Sequence, residues 1–303
     1  MIKAGAQVRD DCPAPAPAFF ACTRKGAPSL LSFVTLASGS SGNAALVSCG
    51  QTHILLDAGI SARRITTALR GLGVDPAFLS GVLITHEHTD HISGLATLTK
   101  QLGLPVYATA PTLDALAMKV PAIPEKRLGR FFAPGESFPL GELWIEPFAT
   151  SHDAACSVGY AITGGDSRMV LCTDLGYISP QVERAVAGCD LLVCEANHDE
   201  EWVRTGPYPY YLKQRVLGRR GHLSNEAGAQ LALLAAQNGA RTILLAHLSD
   251  ENNTPAHALE VVGRTLRQAG FEDTVTLEAA PRKEPGRVYY LSRQGVRQEA
   301  AVC

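Results

Sequence analysis

The sequence predicts an α/β protein built of stacked sheets with helices on their outer faces. Short apolar runs of strand length recur along the chain, with segments of helical period between and after them. Of 303 residues, 46% are hydrophobic and 18% charged, enough apolar material for a large core. Polar residues able to do chemistry recur just where apolar runs stop, as expected where loops gather at one edge of a rigid sheet.

The expected strands cover 31–36, 44–48, 53–57, 81–85, 143–149, 158–163, 168–172, 191–195 and 241–246. The expected helices cover 62–72, 93–102, 111–119, 180–187, 226–238 and 255–269. Gly239 follows the fifth of these, a usual place for a left-handed helix stop. Neither an internal repeat nor a long linker is visible, so residues 31–303 are expected to form a single domain. Residues 1–30 are expected to be a flexible extension. There Asp10 and Asp11 precede an apolar stretch broken by prolines, a poor signal peptide. No apolar run approaches the roughly 18 residues that span a bilayer, so no membrane partner is expected. The eight cysteines show no CxxC spacing, and Cys172, Cys189 and Cys194 fall in or beside apolar runs, which suits a reduced, cytoplasmic protein. A net charge of −2 argues against strong non-specific nucleic-acid binding while leaving room for a local basic patch.

The densest chemical signal is His86-Glu87-His88-Thr89-Asp90-His91, directly after the strand expected at 81–85. In extended backbone His86 and His88 point to the same side. Two neutral imidazoles there form a ready chelate for a divalent metal, and Asp90 with His91 could serve a second. The bland alternative is a polar surface loop. Four further candidates stand where apolar runs end: His152, Asp174, Glu195 and His247.

These residues, in this order and spacing, resemble the metallo-β-lactamase superfamily. Further runs are similar to its YycJ (WalJ)-type branch: Ser38–Asn43, Leu-Asp-Ala-Gly at 56–59, Thr-Asp-Leu-Gly-Tyr at 173–177, Gly-His-Leu-Ser-Asn at 221–225 and His247–Asn253. The resemblance implies a four-layer αββα sandwich with a two-metal site on one edge. It implies that His86, His88 and His152 hold one metal, that Asp90, His91 and His247 hold the other, and that Asp174 bridges them. It favours manganese or zinc, with iron possible, and a single-domain exonuclease that degrades DNA from a 5′ end in repair. Neither the inserted domain of β-CASP nucleases nor the protruding arm of tRNase Z is visible, and residues 1–28 depart from the branch pattern.

Phosphodiester hydrolysis needs an activated water, neutralised phosphate charge and a protonated leaving oxygen. Two metals supply the first two, with Asp90 or Asp174 orienting a bridging hydroxide. His222 is the candidate for the third. It precedes a helix for which Ser224 or Asn225 is the expected N-cap, and helix N-termini suit phosphate. In related phosphodiesterases a histidine at this place pairs with an acid, which Glu195 matches. Asp57 is expected behind a ligand imidazole, orienting it. Tyr210, Lys213, Arg215, Arg219 and Arg220 mix aromatic and cationic character next to His222, which suits single-stranded or end-bearing DNA. Ser224, Asn225 and His198 complete the expected substrate contacts. A solvated helix face with inward-packed tyrosines is the plain alternative. His53 and His257 carry no assigned role. The leading expectation is a two-metal 5′-to-3′ exodeoxyribonuclease. The alternatives are a small-molecule hydrolase of the same fold (cyclic phosphodiesterase, thioester or lactone hydrolase) and a non-catalytic metal- or nucleic-acid-binding module. Oligomeric state is left open.

Overall fold

The computed structural model describes residues 29–292 and 295–300; most of the expected N-terminal extension lies outside the described residues. Two sheets stack face to face. One contains β1 (Leu31–Ala37), β2 (Ala44–Cys49), β3 (Thr52–Leu56), β4 (Leu79–Leu83), β5 (Val106–Thr109) and β6 (Gly129–Phe132) in that order. Strands β14 (Val288–Ser292) and β15 (Gly295–Glu299) extend it beyond β1. The other contains β7 (Phe138–Leu140), β8 (Leu143–Ala149), β9 (Val158–Gly164), β10 (Ser167–Cys172), β11 (Leu191–Glu195), β12 (Thr242–Ala246) and β13 (Thr276–Ala279), again in order.

Alternation along each strand explains the layering. In β1, Leu31 and Phe33 face the middle of the sandwich while Val34 and Leu36 face outward onto helices. In β11, Leu191 and Val193 face the middle, and Leu192 and Cys194 face the opposite helical layer. Both strands are buried along their whole length, as strands covered on both faces must be. Helices α1 (Ala62–Gly71), α3 (Leu95–Leu102) and α4 (Ala110–Lys119) cover the first sheet through Ile65, Leu69, Leu98 and Leu116. Helices α6 (Pro180–Val186), α9 (Asn225–Gln237) and α10 (Pro255–Gln268) cover the second through Val182, Leu231 and Val262. The result is the expected αββα sandwich. Cys172, Cys189 and Cys194 pack as small hydrophobes in that second outer core, and burial pushes the Cys189 thiol up to about 12.

Strand direction positions the site. β3, β4, β5 and β6 run parallel. In the other sheet β10, β11, β12 and β13 run parallel, and β8 shares their direction because it pairs antiparallel with β9, which pairs antiparallel with β10. The carboxyl ends of both sets empty onto one edge. The helix expected from 93 starts at Leu95, preceded by a single turn, α2 (Thr89–Ile92). Strands β5, β6, β7, β13, β14 and β15 and helices α5 (Ala122–Glu125), α7 (Glu200–Thr205) and α8 (Tyr210–Val216) were not expected. Among the described residues no helix is long and apolar enough to cross a membrane.

Candidate metal centre

The His86–His91 segment divides its ligands by a change of backbone. Residues 86–88 continue out of β4 without helical structure, and the His86 Nε2 and His88 Nδ1 atoms lie 3.0 Å apart. His152, beyond the end of β8, brings its Nε2 to 3.2 Å from His88 Nδ1. At Thr89 the chain turns helical, and the turn carries Asp90 and His91 to a second cluster. There Asp90 Oδ2 lies 3.4 Å from His91 Nε2 and 3.5 Å from His247 Nε2. Gly59 makes room for this turn: a Cβ at that position would lie 1.6 Å from the Asp90 carbonyl oxygen.

Asp174 stands between the clusters. Its Oδ2 is 3.5 Å from His91 Nε2 and its Oδ1 is 3.7 Å from His152 Nε2. The carboxylate is 1% exposed, and Oδ2 has no hydrogen-bond partner. A buried, unpaired carboxylate oxygen is costly by itself, and a shared cation would satisfy it. The groups His86–His88–His152, Asp90–His91–His247 and His86–His91–Asp174 each present ligand atoms within 4.8 Å of one another. These nitrogen and oxygen donors fit two divalent cations of borderline character.

Each imidazole but His88 is oriented from behind by a hydrogen bond of normal length. Asp57 Oδ2 accepts from His91 Nδ1 at 2.8 Å, and Asp57 is itself fixed by the Thr85 N–H at 2.8 Å. Glu195 Oε1 accepts from His247 Nδ1 at 2.8 Å. The Gly221 carbonyl accepts from His152 Nδ1 at 3.1 Å, and Thr85 Oγ1 lies 3.0 Å from His86 Nδ1. These contacts leave the Nε2 atoms of His86, His91, His152 and His247 facing the centre. Asp57, Asp174 and His247 also share a left-handed backbone, with φ of 59°, 60° and 56°. Such strain in non-glycine residues costs roughly 1–3 kcal/mol each and clusters at functional sites.

Electrostatics separates the two clusters. Burial lowers His86 and His152 below the usual imidazole range. Burial acts the same way on His91 and His247, but nearby carboxylates outweigh it. Asp174 and Asp57 hold His91 well above its ordinary value, and Asp174, Asp90 and Glu195 push His247 up to about 10.

Glu195 is fully buried. Its Oε1 receives His222 Nδ1 at 2.9 Å as well as His247, while Oε2 accepts the N–H groups of Leu175 at 3.2 Å and Leu223 at 3.0 Å. Burial opposes its charge, yet the His222 and His247 contacts hold it down at about 2. With every oxygen used, Glu195 positions histidines and stays away from substrate. His222, its Nδ1 tied, helps line a small polar pocket of about 110 Å³ with Ser40, Tyr208, Arg215 and Ser249.

The expected substrate residues divide. Tyr210 is 77% exposed and Arg215 lies at the pocket, so the tyrosine does not pack inward. The cations are largely engaged: Arg215 pairs with Asp153 at 2.5 Å, Lys213 donates to the Arg204 carbonyl, Arg220 donates to the His152 carbonyl, and Arg219 stacks on Tyr177. His198, Ser224 and Asn225 are corrections. His198 and Asn225 are buried against Asn197 and Asn253, and burial lowers His198 to about 4. Ser224 caps α9, accepting from the Ala227 N–H at 3.2 Å. None of these three reaches the open face, because the loops joining β11 to α7 and α8 to α9 pack on each other.

Two residues at the centre went unassigned. Asn43 Nδ2 lies 3.4 Å from Asp90 Oδ2, and its N–H donates to the Asp90 carbonyl at 2.7 Å. Asp153 Oδ1 lies 3.4 Å from His152 Nε2 and 4.0 Å from His88 Nε2. Asn43 stands inside the Ser38–Asn43 run that carried the family resemblance, and Asp153 directly follows His152; those were the available signals.

Parallel strand ends from two stacked sheets, delivering histidines and aspartates to paired cation sites, define a metal-dependent hydrolase of the αββα class. The family model described as "Beta-lactamase superfamily domain" matches residues 52–248, and the chain belongs to that family. It is 34% identical to "Exodeoxyribonuclease YycJ" of Bacillus anthracis over 264 residues, covering 86% of this chain and 99% of the relative. It is 39% identical to "Exodeoxyribonuclease WalJ" of Streptococcus pneumoniae over 241 residues, covering 77% of this chain and 87% of the relative. The fold matches the metallo-β-lactamase fold protein YhfI of Bacillus subtilis with a TM-score of 0.65 at 19% identity, covering 86% of this chain and all of that one.

Proposed function

We propose that this protein is a two-metal exodeoxyribonuclease that removes nucleotides from a 5′ end, with single-stranded or end-bearing DNA as substrate. The observation that carries the reading is His222, fixed by Glu195 at 2.9 Å and set 3.7 Å from Asp174, beside a pocket with an arginine at its rim. The hydrogen-bonding groups of His222, Ser40 and Tyr208 at this pocket suit the several oxygens of a phosphate. The relatives' names, over nearly their full lengths, support the same reading.

His86, His88 and His152 would hold one divalent ion and Asp90, His91 and His247 the other, with the Asp174 carboxylate between the two clusters. When bound, the ions neutralise the phosphate and lower the pKa of water. Manganese is the active metal in this reading, and zinc or iron can occupy the same donors. The remaining work falls to the chain. Asp90 and Asp174 orient the attacking water, and His222 binds the phosphate and offers its Nε2 proton to the departing oxygen. Glu195 and Asp57 keep the imidazoles aligned. The buried, reduced thiols of Cys172, Cys189 and Cys194 suit the reducing cytoplasm, where stepwise strand removal serves excision repair.

The test is digestion of end-labelled single- and double-stranded DNA with manganese, beside a small phosphodiester. Stepwise loss from the 5′ end is expected. Turnover of the small phosphodiester with every DNA left intact would overturn the reading in favour of a small-molecule hydrolase.

A further inference from the structure

The sequence draws attention to the cations of 213–220, yet in the folded protein those are mostly engaged. The unengaged ones lie elsewhere. Between α1 and the 281–286 loop runs a groove of about 700 Å³, walled by Arg63, Arg70 and Lys283 over an apolar floor that includes Leu36, Ile60 and Leu72. Arg63, Thr67 and Arg70 stand at i, i+4 and i+7, one exposed stripe of α1, a helix that contains no acidic residue. Arg64 reaches across to the Lys283 carbonyl, and among the described residues no carboxylate pairs with any of these cations. Glu284 is the one acid of the facing loop.

That loop is a fixed wall. Arg282 donates to the carbonyls of Ser249 and Asn253 and lies 3.2 Å from Asp250, so it is tied to the loop after His247. At the other end the Gly286 N–H donates to the Thr35 carbonyl at 2.8 Å. The groove also joins the metal edge. Its floor residue Ile60 follows Gly59, which abuts Asp90, and packs so close to Gly42 that a Cβ there would lie 2.7 Å from Ile60 Cγ2. Gly42 belongs to the turn whose Ser40 lines the pocket beside His222. A strand leaving the metal centre would cross this turn to reach the groove.

We propose that this groove is the track for the part of the DNA strand that is not being cleaved; the proposal rests on the exonuclease reading. The occupant is a polyanion because the rim offers cations and no paired acid. Arg63 and Arg70 are separated by seven residues, about 10 Å along the helix axis, which matches roughly three steps of axial rise in a stacked DNA strand at about 3.4 Å each. The apolar floor supports the arginine stems and the sugar faces.

The experiment uses the full chain and a double variant, Arg63→Glu with Arg70→Glu, whose exposed positions leave the fold intact as checked by thermal melting. Binding of a fluorescent phosphorothioate 20-mer is measured across salt concentrations, with digestion of ordinary DNA and of a small phosphodiester alongside. The expected result is at least tenfold weaker DNA binding, with a salt slope smaller by about 1.4–1.8, near 0.7–0.9 for each of the two lost phosphate contacts. KM for long DNA should rise while small-phosphodiester turnover stays the same. Unchanged affinity and slope, with the wild type still digesting DNA, would overturn the groove and spare the exonuclease reading. Wild-type binding that the variant loses, with no digestion by either, would support the groove and overturn the nuclease. Variant loss of an acidic peptide's binding with DNA binding intact would reassign the groove to a protein partner and overturn the proposal.

Discussion

His86 and His152 on one side of Asp174, and His91 and His247 on the other, are all buried, yet burial sets the charge of the first pair and carboxylates set that of the second. The difference lies behind the rings. His152 rests on a backbone carbonyl and His86 on a hydroxyl, whereas His91 and His247 rest on Asp57 and Glu195. Neutral imidazoles are ready to ligate. Protonated ones bind a metal only by giving up a proton. One half of the centre is therefore prepared for a cation at neutral pH, and the other exchanges protons for it.

Removing the residue common to both halves should have the largest effect. Asp174→Ala is expected to abolish DNA digestion, by roughly 10³-fold or more, and to lower the metal content of both sites, as read by elemental analysis. A loss confined to one site would break the bridging role. Next comes His222→Ala, expected to keep both metals and lose about a hundredfold or more in turnover, the scale of general acid catalysis; metal loss in this variant would make His222 a ligand instead. Asp57→Asn acts on one half. It should weaken the second metal about 10–100-fold and leave the first nearly unchanged in calorimetric titration, and equal weakening of both would remove the asymmetry.

The smallest effect is the pH dependence. Second-site affinity should climb between about pH 6 and 9 as protons become easier to displace from His91 and His247, and climb more steeply than first-site affinity, where burial already favours neutral His86 and His152. Stability of the metal-free protein follows the same groups. His247 has its folded pKa raised to about 10, so its contribution is complete below the unfolded value near 6.5 and is lost as pH rises through 10. Glu195, lowered to about 2, contributes above about 4.5 and loses that contribution as pH falls through 2. Melting temperatures of the chelated protein should fall at both extremes.

Much of the centre was legible in the chain because local geometry carries it. Period-two backbone brings His86 and His88 together, and His152, Asp174, Glu195 and His247 all stand where strands stop. What was hidden depends on partners far apart in sequence. Nothing near Glu195 shows that one carboxylate serves both His222 and His247, and nothing near Arg215 shows that Asp153 claims it. His198, Ser224 and Asn225 look like substrate contacts because polar loops usually face water. Here two loops pack together and use those groups themselves. β14 closes the first sheet beside β1 across more than 250 residues, and no local pattern announces that pairing. The three left-handed residues at the site were equally silent, since only glycine advertises that backbone.

Asp174 stands between two clusters of ligand atoms, each suited to a cation. Anomalous diffraction from crystals grown with manganese tests this arrangement most directly. Two peaks are expected, one among His86, His88 and His152 and one among Asp90, His91 and His247, both within reach of the Asp174 carboxylate. A single peak, or one seated between Glu195 and His222, would contradict it.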